Sequence, residues 1–184
     1  MTIERLKNPS PGELDALTEL WEASVRATHD FLASKDISFF RQMVRGKALP
    51  AVDLYVIRNA YGNTGKSDEF TAFAGVDGDM LEMLFVAPQA RGKGLGRRLA
   101  EHVVAHCGVR RVDVNEQNGQ AAEFYARLGF RVTDRDAADP SGRPYPILHL
   151  SLARTHTHLV PIPSLVIDPI DVDWQEETTE KKNE

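Results

Sequence analysis

Cysteine is nearly absent from this chain. One residue, Cys107, occurs in 184, so no disulfide framework can hold the fold and a reducing compartment is expected. Cys107 lies in an apolar helical run and reads as a core residue rather than a nucleophile. Long apolar runs are missing as well. None approaches the ~20 residues that span a bilayer, and the opening MTIERLKNPS lacks the apolar centre of a secretion signal. The expectation is a cytoplasmic protein with no membrane partner. An excess of basic charge is also lacking: 22 Lys and Arg face 27 Asp and Glu, a formal charge of −5. Residues 155–184 hold seven acids and two bases, which leaves 20 of each sign in residues 1–154. A formally neutral body excludes broad nucleic-acid binding, which needs a basic face. Nor is there a cluster of metal ligands. His156 and His158 stand in a tail where histidines are usually just solvated, so no metal is expected.

What is present is the pattern of one mixed helix-and-strand domain, residues 1–154, followed by a Pro-rich and then acidic tail, 155–184. The end of that tail, QEETTEKKNE, has the composition of a disordered segment. Ile3 to Leu6 suits an opening strand. Leu14, Leu17, Leu20, Trp21 and Val25 then recur at helical spacing, and the pattern halts at ATHDFLAS, residues 27–34. A second helix is expected around 36–45. AVDLYVIRNA and EFTAFAGV read as two strands of a hairpin, and GDMLEMLFVAP as a third strand stopped by Pro88. Leu95, Leu99 and Val103 mark a helix over 94–106. RRVDVNE is a further strand, residues 118–130 a short helix closed by Gly129, and GFRVTDR and YPILHLSLAR two final strands.

Two stretches tempt a phosphate-binding reading. AYGNTGKS (60–67) is one residue from a P-loop, with Ala60 in place of the first glycine. A P-loop must run into a helix, and here a strand follows, so a hairpin turn is the better reading and a nucleotide hydrolase is not expected. APQARGKGLGRRL (87–99) does not fit G-x-G-x-x-G from either start, because Arg97 and Leu99 stand where the last glycine would be. It does place Gly92, Gly94 and Gly96 between an apolar strand and a helix, with Arg91, Lys93 and Arg97 around them. Glycines let an anion approach the backbone, and a helix start offers free N–H groups and a positive dipole end. That combination suits a pyrophosphate-like anion.

LFVAPQARGKGLGRRL resembles the acetyl-CoA loop of the GNAT N-acetyltransferases, whose pattern is Arg or Gln, two residues, Gly, one residue, then Gly or Ala; Arg91, Gly94 and Gly96 match it. A second block, VDVNEQNGQAAEFYARLGF (112–130), is similar to the family's Asn, Ala, Phe-Tyr and Gly-Phe sequence. ATHDFL, VNEQN and GRPYPILHL further resemble the YjaB-type bacterial branch, and the likeness spans roughly residues 3–153. The tail has no counterpart. The resemblance implies an α/β (α+β) GNAT fold: a mixed, mostly antiparallel sheet of about seven strands flanked by helices and splayed in the middle at the acetyl-CoA site.

It also implies roles. Backbone at Phe85 and Val86 would pair with the pantetheine amides. Amides from Gly92 through Lys93, Gly94, Leu95, Gly96 and Arg97 would hold the pyrophosphate, with Arg91 beside them and Asn118 on the pantetheine arm. Tyr125 matches the general acid, and Glu82 a strand position used as base in some members; each has a plainer reading, as a packed aromatic or an ion-paired strand residue. His29 and Asp30 would bind or deprotonate a cationic acceptor, although Asp30 could simply cap and His29 lie exposed; Tyr145 and, more weakly, His149 would border the same pocket. The expected activity is acetyl transfer from acetyl-CoA to a primary amine in a ternary complex, by a monomer or homodimer. The alternative is a non-catalytic acyl-CoA sensor on the same scaffold. Nothing in the composition selects the acceptor.

Overall fold

Strand β1 (Glu4–Leu6) leads into α1 (Pro11–Thr28), whose start follows local rules. Ser10 Oγ accepts from the Glu13 N–H, Glu13 Oε2 accepts from the Ser10 N–H, and Pro11 fills the first helical position. The helix buries Leu17, Leu20, Trp21 and Val25, as the spacing predicts. It ends at His29, whose N–H donates to the Val25 carbonyl at 2.8 Å. The computed structural model describes residues 2–58 and 69–153. The P-loop-like stretch 60–67 and the tail from 155, with its two histidines, lie outside the described residues.

Helix α2 (Ser34–Met43) runs into a π-helical turn, Val44–Ala48, and then the short α3 (Leu49–Ala51). The expected helix over 36–45 therefore continues further than periodicity suggests, because Val44 and Leu49 are both buried and the wider turn keeps both on the core side.

The sheet follows: β2 (Asp53–Arg58), β3 (Phe70–Asp77), β4 (Met80–Val86), β5 (Arg111–Asn115), β6 (Phe130–Asp136) and β7 (Ile147–Leu152), in the order β1-β2-β3-β4-β5-β7-β6. All neighbours are antiparallel except β4 and β5. That parallel pair matches only Met80 with Arg111 and Leu81 with Val112. Beyond Leu81 the two strands part, while β4 remains paired to β3 as far as Val86 and β5 to β7 as far as Asn115. The mixed, mostly antiparallel, centrally splayed sheet expected from sequence is what the chain forms.

Helix α1 and helix α4 (Leu95–His106) pack on β3 and β4, and α5 (Gly119–Arg127) packs on β6. Leu95, Leu99 and Val103 are essentially fully buried, together with Val56, Ile57, Phe73 and Ala74. Gly129 follows the end of α5 at φ +94°, the left-handed conformation expected of a helix-terminating glycine.

Candidate active site

The splay opens into connected hollows that share one wall. A groove of about 380 Å³ runs along Leu84, Phe85 and Val86 of β4, past Arg91 and Gly96, to Asn118 and Tyr125. A second hollow of about 190 Å³ lies in the gap between β4 and β5, with Glu82, Asp113, Asn115 and Tyr125 on its walls. A third, of about 270 Å³, is lined by Trp21, Leu32, Phe40, Phe85 and Tyr145. His29 lines all three.

The glycine loop sits at the end of the groove. Gly92 and Gly94 have φ of +73° and +78°, and a Cβ on either would meet nothing within 4 Å. The requirement for glycine is therefore conformational, and the ground in front of α4 is open. Gly94 is the N-cap of α4 and supplies no side chain to cap it, so the first-turn N–H groups face outward with the dipole. Arg91 reaches across to α5, donating from Nη2 to Gln120 Oε1 at 3.0 Å. Arg97 Nε pairs with Glu101 along the helix at 2.7 Å, and the Arg97 backbone N–H lies in the open first turn of α4. Leu95 is buried in the core and offers only its backbone, whereas Lys93 is exposed. Gly96 lies against the groove wall: a Cβ there would touch Val86 Cγ2 at 3.5 Å and Phe124 Cζ at 3.9 Å.

Helix α5 carries Tyr125 into the junction of groove and splay. Asn118 caps that helix, its Oδ1 accepting from the Ala121 N–H at 3.1 Å. Tyr125 is 6% exposed and stands edge-on to Phe124 and Phe130, with ring centroids 5.0 and 5.6 Å away. Burial pushes its phenol well above the usual range, so the hydroxyl stays protonated throughout neutral pH.

Glu82 is exposed at the mouth of the splay. Desolvation of its carboxyl, then the charges of Asp113 and Asp77, raise its pKa, with Arg111 opposing. His29 has the opposite tendency. Burial lowers its pKa and Arg91 lowers it further, against the backbone hydrogen bond at Val25 and the charge of Asp30. Asp30 itself is exposed and lines none of the hollows.

The aromatic hollow is held shut on one side by a tie between α2 and the β6–β7 connection. Tyr145 Oη donates to Asp36 Oδ2 at 2.5 Å, and Arg143 Nε to Asp36 Oδ1 at 3.1 Å. The Tyr145 hydroxyl, with Arg143 beside it, holds the Asp36 carboxyl below its ordinary range. The Arg143 guanidinium also lies 3.9 Å from the Phe39 ring centre. Asp36 and Arg143 escape sequence reading because no period or motif links positions more than a hundred residues apart. Thr28 escapes it too, although it stands inside ATHDFL. His149 lies outside the hollows, held between Asp113 at 2.7 Å and Asp136 at 3.1 Å. Among the described residues there is no group of three or more metal-ligating side chains, and no helix is long and apolar enough to cross a membrane.

Comparison with known proteins agrees with this fold. Residues 66–140 match the family model described as an acetyltransferase (GNAT) domain. The chain is 38% identical over 139 residues to the peptidyl-lysine N-acetyltransferase YjaB of Escherichia coli (strain K12), covering 76% of this chain and 90% of that one. The solution structure of apo-form YjaB from Escherichia coli superposes with a TM-score of 0.70 at 36% identity, covering 83% of this chain and 97% of that one. A Thermoplasma acidophilum PaiA N-acetyltransferase crystallised with coenzyme A shares the fold, with a TM-score of 0.60 at 18% identity over 83% of this chain and 100% of that one.

Proposed function

The chain belongs to the GNAT acetyltransferase family and is an N-acetyltransferase; from that premise we propose that it moves an acetyl group from acetyl-CoA to the primary amine of a lysine side chain. The acceptor class is carried over from the peptidyl-lysine N-acetyltransferase it resembles. The observation that carries the reading is the position of Tyr125, a buried, protonated phenol where the groove meets the splay.

The groove suits the co-substrate. Past Leu81 the side of β4 that faces β5 has no strand partner, so backbone at Phe85 and Val86 is free to pair with an amide-bearing arm. The open ground before Gly94 and the uncapped first turn of α4 suit a diphosphate, with amides from Gly92 to Arg97 and the Arg91 side chain around it. Asn118 lines the same groove. Binding at three points along one rigid strand and helix holds the thioester beside Tyr125, which supplies the proximity term.

Tyr125 then donates its hydroxyl hydrogen to the sulfur as the C–S bond breaks. The acidic wall formed by Glu82 and Asp113 draws the cationic acceptor toward the splay and offers Glu82 as a candidate base.

Calorimetry with acetyl-CoA, combined with thiol release on a lysine-containing peptide, tests this reading. Binding with peptide-dependent release supports it. Binding without release from any amine points instead to an acyl-CoA sensor, and no binding would remove the assigned role of the glycine loop.

A further inference from the structure

We propose that His29 takes the proton from the acceptor nitrogen during acetyl transfer, its ring held with the Nε2 lone pair toward the site by Asn118 and Thr28. The proposal deepens the acetyltransferase reading and rests on it.

The tautomer follows from partners alone. Asn118 Oδ1 is already committed to the Ala121 N–H at 3.1 Å. The atom 3.3 Å from His29 Nε2 is therefore the amide nitrogen Nδ2, which can only donate. A donor facing Nε2 needs a lone pair there, so the ring hydrogen belongs on Nδ1. Nδ1 lies 2.7 Å from Thr28 Oγ1, and Thr28 passes its own hydrogen to the Ser24 carbonyl at 2.8 Å. Thr28 thus has a lone pair free for Nδ1–H. Four groups on α1 and α5 agree on one orientation, and the Phe31 ring, 5.2 Å away, packs beside it. At 3.3 Å the Asn118 contact is weak enough for a bound amine to share or replace it.

The surroundings favour a neutral imidazole. Arg91 from the β4–α4 loop opposes charge on it, and Asp30 next in the chain favours charge. Glu82, Asp113 and Tyr125 share the splay hollow with it, and Asp139 and Tyr145 the aromatic hollow. His29 and Phe85 both line the groove and both hollows, and of the two only His29 can accept a proton.

A neutral imidazole suits the proton that must move. A lysine amine with a pKa of ~10.4 is free only about once in ~10³ molecules at pH 7, and solvent supplies that fraction. Once the free amine forms the C–N bond, its nitrogen turns acidic and gives a proton to Nε2. The C–S bond breaks, its electron pair stays on sulfur, and the sulfur takes the Tyr125 proton. Solvent in the open cleft returns the imidazolium proton to the phenolate. Amine and thioester become amide and thiol, with no further reactant.

The test compares wild type, His29→Gln, Glu82→Gln and Thr28→Val by thiol release from acetyl-CoA with a lysine-containing peptide across pH. His29→Gln should retain acetyl-CoA affinity and lower kcat about 10²-fold. In acid the wild-type rate should fall more steeply than the amine's own titration accounts for; His29→Gln should lose that extra steepness and Glu82→Gln should keep it. Thr28→Val, which takes away the Nδ1 partner, should lower kcat with little change in KM. Activity of His29→Gln within threefold of wild type, or loss of the extra steepness in Glu82→Gln alone, overturns the proposal. Nitrogen NMR of the wild-type ring decides the tautomer without any turnover: Nδ1–H supports the proposal, and Nε2–H overturns it. Failure of the wild type to release thiol with the peptide counts against the lysine reading, and the NMR result still stands separately.

Discussion

The two halves of the sheet are built by different physics. In β2 to β4 the strands are largely buried, with α1 and α4 packed on β3 and β4, and Val56, Ile57, Ala72, Phe73 and Ala74 are fully inaccessible. In β5 to β7 much of the surface is polar, and after Phe130 every residue of β6 is exposed, Val132 to 55%. Charged pairs lie across that half, Arg135 with Glu116 at 2.7 Å and His149 between Asp113 and Asp136, while Arg111 reaches Asp79 of the β3–β4 turn at 2.6 Å. The candidate site opens on the line where the halves meet, where β4 and β5 match at only two residue pairs. A rigid apolar half can hold a co-substrate in one place, while a half tied by exposed ion pairs, each worth little, leaves the neighbouring edge unpaired.

The sharpest way to break this comparison is to truncate one strand residue in each half. Phe73→Ala should cost about 3–5 kcal/mol by removing a fully buried aromatic. Val132→Ala, on the exposed strand, should stay within about 0.5 kcal/mol. Urea unfolding of both variants checks this, and similar losses would show that the halves do not differ as described.

On the line between the halves, Tyr125→Phe should keep acetyl-CoA affinity while slowing thiol release about 10²-fold. A loss of binding equal to the loss of rate would make Tyr125 a packing residue of the C-terminal half rather than part of the transfer chemistry.

Gly94→Val tests the rigid half at the helix start. A β-branched residue at φ +78° costs about 1–2 kcal/mol in backbone strain. It also places a side chain before the first turn, so acetyl-CoA affinity should fall at least tenfold by calorimetry. Gly96→Ala should fall by less, since its Cβ would meet Val86 and Phe124 only in ordinary contact.

The smallest effect belongs to the ionic half. The hydrogen bond to Asp113, then that to Asp136, raises the His149 pKa above 6.5. The folded state thus binds the proton more tightly than the unfolded chain does. This contribution is fully present below the ordinary imidazole value and is lost as pH rises through the higher folded one. The partly exposed site limits it to about 1 kcal/mol at most. The Tm advantage of wild type over His149→Asn should therefore shrink as pH rises above 6.5. An advantage that grows instead would mean that the imidazolium is not what the two carboxylates hold.

Much of this arrangement is legible in the sequence. The capping box at Ser10, the helical spacing of α1, the turn glycines at 92, 94 and 129, and the Asn118 start of α5 all depend on residues within one or two turns of each other. Most strand boundaries follow from alternation and from Pro88. The continuation of α2 through a π-helical turn is not legible, because it depends on which side of Val44 and Leu49 meets the core.

The sequence by itself determined the elements, their order and the residues of the glycine loop, because propensity, capping and left-handed backbone are set between near neighbours. Only the tertiary structure decided that β4 and β5 separate after Leu81, that Asn118 meets His29 from 89 residues away, and that Asp36 ties down Tyr145 from 109. Those contacts depend on sheet register and helix packing summed over the whole core, and no local pattern encodes them.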